Sequence, residues 1–86
     1  MEKIPRTLAE LKIRSKRVLE LEGEVRKIFI QIATDKNPSA VWDLAQANAI
    51  NHGYDLTEAM ELSKATRWLS IIRRDYGEDE FLRVIG

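Results

Sequence analysis

One histidine, no cysteine and fourteen carboxylates set the chemistry open to this sequence. His52 is the only side chain whose ordinary pKa lies near neutrality. It falls at the expected C-terminus of a helix, where the helix dipole favours an imidazolium, and a capping role accounts for it. Asp43, Asp55 and Glu58 could gather at the same corner with His52 as a further ligand, but carboxylates around such a turn serve as helix N-caps, and Asp55 has that spacing. A chain without cysteine builds neither a disulfide framework nor a thiolate metal site. A single histidine supplies neither a two-histidine relay nor a His-rich zinc site. No glycine-rich phosphate cradle and no serine-nucleophile motif occurs. The sequence therefore predicts no catalytic residue, no cofactor and no metal, and a protein that is not an enzyme.

Bases and tryptophans carry the remaining chemistry. The formal charge is zero, yet it is laid out in blocks. Residues 3–17 hold six bases and one acid, 18–63 three bases and eight acids, 64–74 four bases and no acid, and 75–86 four acids and one base. Lys64, Arg67 and Arg74 share an arc of about 80° on a helix. Two basic blocks could meet phosphates, with Lys12, Arg14, Lys16, Arg17 and Lys64 as the contacts. Tested as a helix-turn-helix, residues 39–67 place Asp55, Glu58 and Glu61 in the opening turns of the recognition helix, where phosphate repels them. A protein partner is the better use of such blocks. Arg67, Trp68, Ile71 and Arg74 form the expected partner-binding surface, because Trp beside Arg is a frequent interface hot-spot composition. Trp42, Phe29 and Phe81 fall on or beside apolar stripes and are expected in the core.

The elements that must position these residues are all helical. Thr7-Leu8-Ala9-Glu10 has the capping-box pattern, and helix-favouring residues run from there to about Asp35, with Gly23 the only weak point. Asn37-Pro38 restarts the chain as N-cap and first helical residue. That helix ends near His52, before Gly53. Asp55 opens a third, which runs to Tyr76 and stops at Gly77. A short last helix over 79–85 places Phe81, Leu82 and Ile85 on one face. No segment alternates long enough to be a strand. In the first helix Ile4, Leu11, Val18, Leu21, Val25, Ile28 and Ile32 form one stripe. In the third, Ala59, Leu62, Ala65, Leu69, Ile72 and Tyr76 do so. The second is rich in alanine and admits a close neighbour.

A helix over 7–35 would be about 42 Å long, against roughly 30 Å for a compact domain of this size. The sequence thus predicts an all-α bundle, one domain over 1–86, that dimerises through its long first helix; the alternative is a monomer whose first helix is kinked at Gly23. The self-association seam would be Leu11, Val18, Leu21, Val25, Ile28 and Ile32, with Arg17 and Glu22 at flanking heptad positions. One long helix followed by two shorter ones, paired through the long helix, resembles in outline the all-helical chorismate mutases. With Arg14 in the first of their carboxylate-clamping positions, Gln31 and Trp42 stand at the next two, so the family's clamp is not carried over. No apolar stretch approaches a membrane span, and charges at Lys3, Arg6, Glu10 and Lys12 interrupt any signal peptide. The functional expectation is a small cytoplasmic homodimer that acts by stoichiometric binding of a protein. The alternative is a dimeric nucleic-acid-binding regulator using residues 3–17 and 64–74.

Overall fold

The computed structural model describes residues 7–86; Ile4 of the apolar stripe and Lys3 and Arg6 of the first basic block lie outside them. Six helices occur in these residues: α1 Leu8–Arg14, α2 Lys16–Leu19, α3 Gly23–Asp35, α4 Pro38–Asn51, α5 Leu56–Tyr76 and α6 Glu78–Ile85. No strand occurs among the described residues, so the all-α expectation holds.

The caps lie where the sequence places them. Thr7 accepts a hydrogen bond from the Glu10 amide at 3.2 Å, Asn37 from the Ala40 amide at 3.2 Å, and Asp55 from the Glu58 amide at 2.8 Å. Each satisfies one of the donors that a helix start leaves open. Gly77, at φ 95°, ends α5 and opens α6.

The expected continuous helix over 7–35 is replaced by three, and the longest helix is α5, not the first. Ser15 makes the first interruption: its hydroxyl donates to the Leu11 carbonyl at 2.7 Å while its amide is shared between the Leu11 and Lys12 carbonyls. Side-chain competition of this kind bends helices. The second is a full break. Glu22 is extended (φ −132°, ψ 159°) and Gly23 takes φ 65°, a left-handed conformation open to glycine at little cost. Overall dimensions of 32 × 32 × 20 Å leave no room for a rod of about 42 Å. Folding the segment back buries its apolar stripe within the same chain, where a straight helix would leave half of it in water.

Helix α5 is the axis of the fold: α1, α2, α3, α4 and α6 all pack against it, α4 most extensively. Its expected stripe of Ala59, Leu62, Ala65, Leu69 and Ile72 is buried. Tyr76, expected to continue that stripe, is exposed. Ser63, Thr66 and Ser70 widen the buried face. The Thr66 hydroxyl donates to the Leu62 carbonyl and that of Ser70 to the Arg67 carbonyl, both at 2.6 Å, which meets the cost of burying these two; the Ser63 hydroxyl is buried with no hydrogen-bond partner among the described residues. From α4 come Val41, Ala45 and Ala49, all buried; two of the three are alanine, so the α4 and α5 backbones can approach closely. At the C-terminus Phe81 enters the core, and the Arg26 guanidinium of α3 donates to the Ile85 carbonyl. The last helix therefore folds onto its own chain.

Candidate functional site

The seam expected for self-association is largely consumed by this core. Leu11, Val18 and Ile32 are buried, and Leu21, Val25 and Ile28 are half-buried and packed on the core. Leu11 and Val18 in particular keep no area for a second chain, because α1 and α2 lie on α5.

Folding α1 back also brings Arg14 to α5. The Arg14 guanidinium lies over the Trp68 ring, 5.6 Å from its centroid, within cation–π range. Lys64 precedes Trp68 by four residues and so shares its face of α5; Arg67 is its immediate neighbour. Arg14, Lys64 and Arg67 are exposed, Trp68 is half-buried, and none of the three bases makes an ion pair among the described residues. Ile13, one position before Arg14, is 71% exposed. The result is a cationic surface with an aromatic centre and an apolar edge.

The other expected contacts are placed differently. Lys16 pairs with Glu20 at 3.7 Å. Arg17 bridges α2 to α5, bonding Glu58 and lying 3.6 Å from Glu61 and 3.8 Å from Glu20. Lys12 is exposed but lies about 160° round α1 from Arg14. The five expected nucleic-acid contacts are thus not one surface. In the expected partner-binding set, Ile71 is buried. Arg74 is held by its neighbour Asp75, at 2.8 and 3.3 Å, whose hydrogen bond and charge push the guanidinium pKa further up. Arg67 and Trp68 remain available, and Arg14 and Lys64 join them. Sequence spacing could not pair Arg14 with Trp68, since the pair depends on the break between α2 and α3.

The corner around His52 does not gather ligands. His52 Nδ1 lies 2.8 Å from the Asn48 carbonyl, Asp55 is the α5 N-cap and Glu58 belongs to Arg17. Among the described residues no group of three His, Asp or Glu side chains is placed to hold a metal ion.

A second surface, absent from the sequence reading, flanks α4. Lys27, Ile28, Gln31, Ile32 and Asp35 of α3, with Lys36 and Leu44, line a cleft of about 380 Å³. Leu44 is 37% and Ile50 48% exposed on the outer side of α4, whose inner side is in the core. A helix apolar on both sides is expected inside a protein rather than at its surface. That composition was legible: Pro38–Asn51 contains one charged residue, Asp43. Among the described residues no helix is long and apolar enough to cross a membrane. Comparison of the chain with family models, with curated proteins and with solved structures gives no match.

Proposed function

We propose that this protein is a small, non-enzymatic interaction module of the cytoplasm that self-associates and binds an acidic protein segment stoichiometrically. The observation that carries the reading is the stack of Arg14 on Trp68 with Lys64 and Arg67 alongside. Among the other described bases, Lys16, Arg17, Lys27, Arg73, Arg74 and Arg83 each have a carboxylate of this chain, while Lys12, Arg26 and Lys36 have none and stack on no aromatic ring. Unpaired cations around an aromatic ring suit a partner that brings carboxylates and an apolar side chain.

The same unpaired bases favour nucleic acid as a second reading. Against it, the surface joins few bases to an apolar edge, the 71% exposed Ile13, from which a phosphate backbone gains nothing. One experiment separates the readings. A photo-crosslinking amino acid replaces Arg67 in expressing cells, with the same substitution at exposed Asp79 as control. The expected result is a discrete adduct at position 67, degraded by protease, resistant to nuclease and lost on Trp68→Ala. A nuclease-sensitive adduct gives the second reading, and no adduct above the control overturns both.

A further inference from the structure

We infer that the segment taken up by the cationic surface is an amphipathic helix lying along α5, with carboxylates over Lys64 and Arg67 and apolar side chains over Met60 and Leu56. The inference rests on the acidic-partner reading and adds the conformation and pattern of that partner. At 100° per residue, Leu56, Met60, Lys64 and Arg67 share an arc of about 80° on α5. That arc faces away from the buried stripe of Ala59, Leu62, Ala65, Leu69 and Ile72. Leu56 is 58% and Met60 41% exposed, and Lys64 and Arg67 are exposed beside them.

The strip is polarised along its length. Its first turn carries the two apolar side chains and the next two turns carry the two bases, all within about 16 Å. Arg14, over the Trp68 ring, adds a third cation at the basic end. Lys64 and Arg67 have no carboxylate partner among the described residues; Glu61, beside the strip, lies 3.6 Å from Arg17 instead. Charge complementarity therefore asks for acids at one end of the occupant. The apolar pair asks for apolar side chains at the other. Leu56, Met60 and Lys64 also form one i, i+4 ridge, the feature that seats in the groove of a second helix.

Backbone hydrogen bonding fixes the conformation of the occupant. A chain laid on Leu56 and Met60 loses water from the amides and carbonyls that face them, and each lost partner has to be replaced. An extended segment finds replacements at a sheet edge, and no strand occurs among the described residues. Along this strip the α5 backbone groups are spent within α5 itself. A helix brings its own hydrogen bonds and needs none from the surface. Two part-exposed apolar side chains and three cations fall below the contact area of a stable complex. The contact is therefore transient, with a Kd of about 10 µM to 1 mM.

Anisotropy titration of a labelled synthetic peptide with the whole chain tests the inference. The probe is an alanine- and glutamine-based peptide of about 18 residues, long enough to be partly helical in water. It carries glutamates in its first two turns, where they also stabilise its helix, and leucines on the same face of the next two. A control of identical composition turns the leucines to the opposite face. The probe should bind at least tenfold more tightly than the control. Met60→Gln and Leu56→Gln should each weaken the probe at least threefold, with an unchanged circular dichroism spectrum, and leave the control as it was. A proline at the centre of the probe, which breaks a helix, should weaken binding at least tenfold. Equal affinity for probe and control, both weakened by Arg67→Glu, overturns the apolar half of the strip and leaves the acidic reading standing. Equal affinity with and without the proline overturns the helical conformation. Binding of neither peptide at about 1 mM overturns the inference, and the adduct at position 67 then decides the acidic reading by itself. A protein whose own mass rises with concentration, and no longer does so in Met60→Gln, assigns the strip to a second copy and overturns the inference as well.

Discussion

Replacing Gly23 by alanine gives a measurement whose sign depends on whether the N-terminal segment is one helix or three. At φ 65° an L-residue is strained, by about 1–2 kcal/mol for a side chain with a Cβ. No heavy atom lies within 4 Å of the Cβ that alanine would add, so no packing term enters. The unfolded chain loses freedom on the same change, returning about 0.4–1 kcal/mol. The net expectation is a destabilisation of about 1 kcal/mol, equivalent to a melting temperature lower by roughly 4–8 °C for a domain of this size. In urea, followed by circular dichroism at 222 nm, the midpoint should fall by about 0.3–1 M. A continuous helix through residue 23 predicts the reverse, because alanine in a helix interior is favoured over glycine by about 0.8–1 kcal/mol. Asparagine tolerates the left-handed region better than alanine, so Gly23→Asn should lie between wild type and Gly23→Ala. A higher midpoint for Gly23→Ala would refute the break. It would also take away the fold-back of α1 that brings Arg14 to Trp68.

Three further outcomes follow from the packing. A double-mutant cycle of Arg14→Ala and Trp68→Ala, read by urea denaturation, should give a coupling of about 0.5–1 kcal/mol; a coupling indistinguishable from zero would mean the stacking contributes nothing. Phe81→Ala should cost about 3–5 kcal/mol, because the ring is buried in the core; a loss under 1 kcal/mol would show that α6 is not anchored there. Arg17→Ala, with all participants of its network roughly half exposed, should cost at most about 1 kcal/mol. That loss should shrink between 0.05 and 1 M salt as screening shortens, and a loss unchanged by salt would assign it to packing of the arginine stem instead.

What the sequence reveals of this fold is what local chemistry decides. Thr7, Asn37 and Asp55 cap helices because their side chains reach amides within the same turn, and that reach is independent of tertiary contacts. The break at Glu22–Gly23 is not local in this sense. Leu21, Val25 and Ile28 stay in helical phase across it, and only the extent of the molecule decides that the rod must fold back. Sequence reasoning met the length mismatch and favoured a second chain over a kink at Gly23; the structure breaks the segment at Gly23. The candidate site follows the same division. Trp68 beside Arg67 is adjacent in sequence and was legible, whereas Arg14 over Trp68 exists only after α1 has been laid on α5.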